Sequence, residues 1–171
     1  GDLFVSVMVN GANVSETILD RGTGANEDRF SLYLSADGYV IFLVDGGTQY
    51  TVTGVTSVLN GWHHVVGIRS GTNIYLYVDN VLEGTTAISV ESLVGIANTG
   101  TLVVGNWSGK DGSSAWEGEM SMLATGNYAP TVSEINTWYN NEKGMFDPFT
   151  VYRFEGDEYS FNLGVSAMTR S

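Results

Sequence analysis

The feature that most constrains this chain is a hydrophobic period of two residues, which recurs in short runs separated by turn sequences. In residues 29–34, the side chains of Phe30, Leu32 and Leu34 fall on one face of an extended segment, because successive side chains of a strand point to opposite sides. Residues 74–78 repeat the pattern. Gly, Asn and Asp between such runs are typical of tight hairpin turns. Many short strands at regular spacing predict an all-β sandwich or barrel.

One segment near the C-terminal third has a helical pattern instead. Thr131 is suited to cap a helix N terminus, and Glu134, three residues later, completes a capping box. The apolar residues that follow share one helical face, and Gly144 suits the left-handed position that ends a helix. The sequence therefore predicts one short helix near residues 131–143, lying against the sandwich.

Length and composition limit the class of protein. The 171 residues fit a single domain, residues 1–171, which can bury a sufficient core without disulfides. No Cys is present, which excludes disulfides, thiolate catalysis and Cys-ligated zinc. No run of about 18 apolar residues occurs, so membrane insertion is not expected. Seven Lys and Arg against 19 Asp and Glu give a net charge of −12, which argues against nucleic acid as a partner.

Four segments carry motifs in a fixed order and are followed by the predicted helix. These segments are residues 61–66 (Gly-Trp-His-His-Val-Val), 74–80 (Ile-Tyr-Leu-Tyr-Val-Asp-Asn), 102–105 (Leu-Val-Val-Gly) and 116–120 (Trp-Glu-Gly-Glu-Met). In order and spacing, the chain resembles laminin G-like domains of the concanavalin A-like superfamily over roughly residues 3–146. The resemblance implies an antiparallel jelly-roll β-sandwich that is extracellular, on a cell surface or on a virion.

For function, the resemblance implies a non-catalytic recognition module that binds glycans or a surface protein. An alternative is a structural or assembly domain of a virus particle, such as a capsid, fibre or decoration protein, which would pack against copies of itself. A glycoside hydrolase is the third and less favoured possibility, since the fold class hosts all three. Where many relatives have acidic residues, this chain has Ser121 and Met122.

A second departure concerns the strand with which relatives usually begin, which reads Phe-Asp-Gly-x-x-Asp-Tyr. A similar run, from Phe154 to Tyr159, lies near the other end of this chain. We therefore hypothesise that a C-terminal hairpin over residues 150–163 occupies the position of that first strand, as in a circular permutation. The rival interpretation is that this hairpin opens a second, truncated domain.

The strongest candidates for catalytic groups are two carboxylates on one predicted strand. Glu117 and Glu119 would point to the same face about 6.5–7 Å apart, a spacing compatible with an inverting glycosidase. A third acidic residue is missing, because residues 120–122 are Met, Ser and Met. The adjacent His63 and His64 point to opposite faces of a strand and cannot bind one metal together. We interpret both pairs as structural and predict no enzyme activity.

Calcium is the metal that the resemblance favours. Laminin G-like domains that bind calcium take oxygen ligands from loops in similar positions, which implies Asp28, Asn106 and Asp111 as ligands. The alternative is that these loops are only solvated, and Lys110 beside Asp111 weakens the calcium hypothesis. The acidic composition fits either interpretation.

The long loop over residues 106–114 supplies the candidate ligand site. It carries Trp107 beside Asn106, with Asp111 further along. An exposed ring can stack on the apolar face of a sugar, while amide and carboxylate groups bind its hydroxyls. We therefore predict Trp107, Asn106 and Asp111 as ligand-binding residues. The alternative is that Trp107 folds back over the edge of the sandwich.

Overall fold

The strands and the helix are seen in a computed structural model that describes residues 1–22, 29–89, 100–109, 112 and 114–146. Within these residues, ten strands form two five-stranded sheets, and one helix follows them. The elements are β1 (Leu3–Asn10), β2 (Thr17–Gly22), β3 (Arg29–Leu34), β4 (Tyr39–Asp45), β5 (Gln49–Ser57), β6 (His63–Ser70), β7 (Asn73–Val78), β8 (Val81–Ala87), β9 (Thr101–Val104), β10 (Glu119–Gly126) and α1 (Val132–Phe146).

The two sheets pack face to face as a β-sandwich. The back sheet has the strand order β10-β1-β6-β7-β8, and the front sheet has the order β5-β4-β3-β2-β9. All strand pairings within the two sheets are antiparallel. The predicted antiparallel β-sandwich with one helix is confirmed.

Apolar side chains at alternate positions of the strands fill the space between the sheets. Phe30, Leu32 and Leu34, which the sequence places on one face of β3, are buried together in the main core. Phe42 of the front sheet reaches Gly67 of the back sheet so closely that an added Cβ would lie 2.7 Å from its ring. Each buried aliphatic or aromatic side chain of this kind contributes about 1.5–3 kcal/mol. Glycine at position 67 is therefore required by the close approach of the sheets.

The predicted two-residue turn between β7 and β8 is confirmed. Asp79 and Asn80 have φ values of 49° and 65°, which are the left-handed conformations that a type I′ hairpin turn needs. The Asp79 carboxylate also binds β6, because Oδ1 accepts the backbone N–H of His64 at 3.0 Å and Oδ2 lies 2.7 Å from Nδ1 of His63. Burial alone raises the pKa of Asp79, but these hydrogen bonds outweigh it and lower the pKa. His63 thus pairs across strands.

Helix α1 begins with the predicted capping box. Oε2 of Glu134 accepts the N–H of Thr131 at 2.7 Å, and Oγ1 of Thr131 accepts the N–H of Glu134 at 3.2 Å. The prediction that Gly144 ends the helix is wrong, since α1 continues to Phe146. The ring of Phe146 packs against Trp62 with ring centroids 4.3 Å apart. This contact holds the last helical turn, which includes Gly144, against the back sheet.

The helix covers the outer face of the back sheet, where the sequence predicts that it should lie against the sandwich. Ile135 is fully buried in a second, smaller core with Phe4, Val66 and Ile68. The ring of Trp138 stacks on Phe4 with ring centroids 5.2 Å apart. Residues of β1 and β6 therefore alternate between two cores, one inside the sandwich and one under α1.

Two further predictions concern the extent of the domain. The C-terminal hairpin over residues 150–163 lies outside the described residues and stays a prediction. The assignment of residues 1–171 to one domain likewise stays a prediction, because the described part ends at residue 146. Within that described part, no helix is long and apolar enough to cross a membrane.

A polar cluster is buried between the back sheet and α1. His64 is fully buried, and its Nε2 lies 2.8 Å from Oγ of Ser6 and 3.6 Å from Oε2 of Glu142. The other ring nitrogen, Nδ1, has no hydrogen-bond partner among the described residues. Burial lowers the pKa of His64 from 6.5 to about 4, against a smaller opposite effect of Asp79. Burial also raises the pKa of Glu142. His64 is therefore a neutral core residue near pH 7.

We expect the free energy of unfolding to fall as the pH is lowered from about 6.5 to about 4. The unfolded chain binds a proton on His64 near pH 6.5, whereas the folded chain binds it only near pH 4, so the folded state loses relative stability in between. The full loss is on the order of 3–3.5 kcal/mol, at about 1.4 kcal/mol per pKa unit. Urea denaturation of the wild type and His64→Gln at about pH 7 and about pH 4.5 measures it.

The matched control for this experiment is Glu142→Gln. The raised pKa of Glu142 acts in the opposite direction, because the folded state then gains stability as the pH falls. Removing that carboxyl should steepen the loss of stability at low pH, whereas His64→Gln should flatten it. Equal losses in the wild type and in His64→Gln would contradict the assignment to His64.

Candidate functional site

The outer face of the front sheet carries a shallow groove of about 310 Å³ beneath the loop that follows β9. We refer to this depression as the Trp107 groove. Its walls combine two aromatic rings, one cationic group, one amide and several hydroxyls. The lining residues are Ser15, Thr17, Arg29, Tyr33, Leu43, Gln49, Trp107 and Ser114.

Strand alternation and register bring these side chains together. Tyr33 lies between two core leucines of β3, so its ring points to the outer face. Thr17 of β2 pairs with Tyr33, which places a hydroxyl beside that ring. Asp45 of β4 pairs with Arg29 on one side and with Gln49 on the other. One row across three strands therefore carries the guanidinium and the amide that line the groove.

A buried ion pair fixes the wall of the groove. Asp20 is fully buried, and its Oδ1 accepts the Nε–H of Arg29 at 2.6 Å. Its Oδ2 accepts the backbone N–H of Ser108 at 2.9 Å, so the same carboxylate ties the loop to the sheet. Both oxygens of the buried charge are thus satisfied. No further side-chain hydrogen bond of Arg29 is present among the described residues.

The loop that carries Trp107 has a defined conformation. Gly105 has a φ of 75° and turns the chain away from β9, while Oδ1 of Asn106 accepts the N–H of Trp107 at 2.8 Å. The indole lies over Gly109, where an added Cβ would overlap Cζ3 of the ring. A larger residue at position 109 would displace the ring, so this glycine sets how Trp107 faces the groove.

The predicted ligand residues are only partly described. Trp107 lines the groove together with Tyr33. Asn106 does not line it, and its side-chain oxygen already accepts a hydrogen bond within the loop. Asp28 and Asp111 lie outside the described residues, so the ligand site over Trp107, Asn106 and Asp111 stays a prediction.

Apart from Trp107, sequence reasoning missed the residues that line the groove, among them Arg29, Tyr33 and Gln49. The alternation of β3 does predict that Tyr33 faces away from the core. The alternation of β3 does not predict that the loop carrying Trp107 crosses this part of the sheet, because that contact joins distant segments. A polar or aromatic residue on an outward strand face is therefore a necessary signal for such a site, but it is not a sufficient one.

Calcium also stays a prediction. Among the described residues, no group of three or more His, Cys, Asp or Glu side chains is placed to hold a metal ion. Of the predicted ligands, only Asn106 is described, and it supplies one amide oxygen. Calcium takes six to eight oxygen ligands, so the described residues alone do not form its site. Asp28 and Asp111 would have to complete it.

The predicted carboxylate pair lies elsewhere, at an open depression on the rim of the sandwich. Glu117 and Glu119 are both exposed and line this depression with Asn10 and Asn60. The strand predicted from Glu117 begins only at Glu119, because the N–H of Glu117 donates to the side chain of Glu16 at 3.1 Å instead of to a neighbouring strand. These positions agree with the interpretation of both carboxylates as solvent-facing groups.

The hydrogen bond between Ser6 and His64 is not arranged as a hydrolytic site. Both side chains are buried under α1, so a substrate cannot reach the hydroxyl. The nearest carboxylate, that of Glu142, lies 3.6 Å from the same ring nitrogen that meets Ser6. In a Ser-His-Asp triad the acid binds the opposite nitrogen. The cluster is therefore structural.

Comparison with known proteins places this architecture in a family of domains. A laminin G family model, described as the concanavalin A-like lectin/glucanases superfamily, matches residues 5–136. This span contains β2 to β10, nearly all of β1 and the start of α1. No curated protein sequence matches the chain.

Solved structures with the same fold come from very different proteins. A heptameric SAP-like pentraxin from Limulus polyphemus is 22% identical, with a TM-score of 0.60 over 81% of this chain and 69% of that chain. The CBM40 of the Ruminococcus gnavus IT-sialidase, bound to α2,3-sialyllactose, is 16% identical, with a TM-score of 0.62 over 80% and 81%. Mouse laminin α1 domains LG4-5 are 14% identical, with a TM-score of 0.62 over 77% and 37%. At these identities the likeness shows the fold alone.

We predict that Gly109→Ala displaces the Trp107 indole without unfolding the sandwich. The added methyl would overlap the ring, so the ring must move, whereas the core lies on the other side of the sheet. Fluorine NMR of protein labelled with 5-fluorotryptophan should show four resonances, one for each Trp. In Gly109→Ala, the Trp107 resonance should shift strongly and the other three should stay in place.

Ser108→Ala is the control for the same loop. It keeps the backbone N–H that donates to Asp20 and adds no atom beneath the ring, so the Trp107 resonance should move little. If Gly109→Ala left all four resonances unchanged, the contact between the indole and Gly109 would not exist in solution.

Proposed function

The chain belongs to the concanavalin A-like lectin/glucanases superfamily, and on that basis we propose that it is a non-catalytic recognition module that binds glycans in the Trp107 groove. The observation that carries the proposal is the composition of this groove. The rings of Trp107 and Tyr33 line it together with the polar side chains of Thr17, Arg29 and Gln49. We assign the module to the outside of a cell or to its surface, where such ligands are displayed.

The chemistry of the groove suits a sugar. An indole or phenol ring can pack on the apolar C–H face of a pyranose, and hydroxyls then need donors and acceptors around that face. The Gln49 amide supplies both, and the remaining N–H groups of Arg29 supply donors. Burial raises the pKa of Tyr33, against a smaller opposite effect of Arg29, so the phenol stays protonated and can also donate.

The size of the groove favours the end of a glycan over a long chain. Its volume of about 310 Å³ is near the lower limit of ligand pockets, which is roughly 300 Å³. The Ruminococcus gnavus CBM40, with a similar fold, is bound to a sialyllactose, which supports a short saccharide as the class of ligand. A surface protein that presents an exposed loop is the other partner predicted for this module.

A glycan-array assay of the full chain tests the proposal. The wild type should bind a subset of glycans, and Trp107→Ala should weaken that binding by at least about tenfold, because truncating a central aromatic anchor commonly costs about 2 kcal/mol or more. Leu82→Ala is the matched control, since it also removes an exposed apolar side chain, on the back sheet. Equal binding by all three proteins would exclude the Trp107 groove as the site.

The same array, repeated with EDTA, tests the predicted calcium ligands. If Asp28, Asn106 and Asp111 hold calcium beside Trp107, binding should fall in EDTA and return with added calcium. Binding that is identical under both conditions would contradict a role for calcium in recognition and would leave the aromatic groove as the site.

Assembly with copies of itself is the alternative function, and it makes a different prediction. The Limulus polyphemus pentraxin that shares the fold is heptameric, so a sandwich of this kind can form closed oligomers. Light scattering of the purified chain should then give a defined multiple of 18.4 kDa. A monomer that binds glycans supports the recognition module, whereas a stable oligomer that binds no glycan supports assembly in a larger particle.

A further inference from the structure

The charge that lines the Trp107 groove is of one sign. Among the described residues that line the groove, Arg29 is the only one with a charged side chain. The whole chain has 19 Asp and Glu against seven Lys and Arg, so an acidic side chain is the more common kind of charge in this protein. A cation that has no carboxylate beside it among these lining residues therefore sets the groove apart from the rest of the chain.

The buried ion pair presents its cationic member to the groove. The side chain of Asp20 is fully buried, whereas that of Arg29 is 17% exposed. Oδ1 of Asp20 accepts the Nε–H of Arg29 at 2.6 Å, and Oδ2 accepts the backbone N–H of Ser108 at 2.9 Å. The negative charge is thus shared between the guanidinium and the loop backbone. A ligand in the groove therefore meets the guanidinium and not the carboxylate.

A second carboxylate, that of Asp45, lies close to Arg29 in the sheet but does not line the groove. Asp45 pairs with Arg29 between β4 and β3, and it is buried. Its Oδ1 accepts the N–H of Gly47 at 3.0 Å, within the turn that follows β4. This carboxylate is therefore directed to its own turn, and a ligand does not have to approach it.

The uncharged polar groups of the groove favour a ligand that accepts hydrogen bonds. Four hydroxyl groups line it, those of Ser15, Thr17, Tyr33 and Ser114. Each hydroxyl can donate one hydrogen bond, whereas an ionised carboxylate only accepts. Among the described lining residues, the Gln49 amide is the one side chain other than a hydroxyl that can accept. A neutral sugar brings hydroxyls that need acceptors, so the surplus of donors suits an anionic sugar better.

We propose that the glycan bound in the Trp107 groove is acidic, and that the carboxylate of its terminal sugar binds the guanidinium of Arg29. This inference rests on the proposed function, because it names the class of glycan for the same groove. A guanidinium is a planar fork of N–H donors that matches the two oxygens of a carboxylate. Asp20 holds the Nε side of the fork, and the carboxylate of the sugar is bound by the terminal nitrogens.

The size of the groove and its single cation favour one carboxylated sugar over a polyanionic chain. A volume of about 310 Å³ lies at the lower end of ligand pockets, so it suits one terminal sugar whose apolar face packs on Trp107 or Tyr33. A sulfated polysaccharide carries many charges and is bound by several cations. Arg29 alone provides a cation among the described lining residues, which matches a single carboxylate.

Calorimetric titration of the full chain with matched saccharides tests the inference. Glycans that end in a sialic or uronic acid are compared with the same glycans after reduction of the carboxyl group to an alcohol, with and without EDTA. In the wild type, reduction should weaken binding at least about tenfold, because hydrogen bonds between charged groups are the strong ones. Arg29→Lys keeps a cation beside Asp20 but loses the fork, so it should remove most of this difference. Lys143→Gln removes an exposed cation on α1 and should change neither affinity.

Equal affinity for the carboxylated and the reduced glycans, with binding still lost in Trp107→Ala, would overturn the inference and leave the proposed function standing. Tighter binding of sulfated than of carboxylated glycans would also overturn it. So would a preference for the carboxylate that disappears in EDTA but persists in Arg29→Lys, because calcium would then bind the anion. The absence of binding to every glycan would overturn the proposed function and this inference together. If Arg29→Lys does not fold, the two forms of the glycan decide the question on the wild type.

Discussion

A β-sheet has two faces, and a sandwich buries only one face of each sheet. The rest of this structure therefore depends on what covers each of the two outer faces. On the back sheet, α1 covers the outer face and forms a second core around Phe4 and Ile135. On the front sheet, the loop that carries Trp107 crosses the outer face and leaves a groove beside it. The helix buries one outer face in a second core, whereas the loop leaves part of the other outer face open.

The link between loop and sheet depends on one buried carboxylate. Asp20 accepts hydrogen bonds from Arg29 and from the backbone of Ser108, so the charge that would otherwise destabilise the front sheet instead holds the loop above it. The same pairing fixes the Nε of Arg29 at the wall of the groove. Gly109 completes the arrangement, because it lets the indole of Trp107 lie close to the loop backbone.

The edges of the sheets pose a separate constraint, since each unpaired edge exposes backbone groups and part of the interior. Between β5 and β8, the side chains of Glu83 and Thr86 form hydrogen bonds with these backbone groups. Between β9 and β10 the inward-facing Leu102 and Val104 remain exposed among the described residues. This edge is separate from the Trp107 groove, which lies on the outer face of the front sheet.

Local patterns predict which side chains of β3 face the core, the type I′ turn at Asp79 and the cap at Thr131, because each depends on residues within a few positions of one another. They do not determine how far α1 extends, since the contact of Phe146 with Trp62 joins distant segments. That Arg29 and Tyr33 share a groove with Trp107 is known from the folded chain alone. The bond that secures this groove joins Asp20 to Ser108 across 88 positions, and a local pattern carries no information about a contact at that separation.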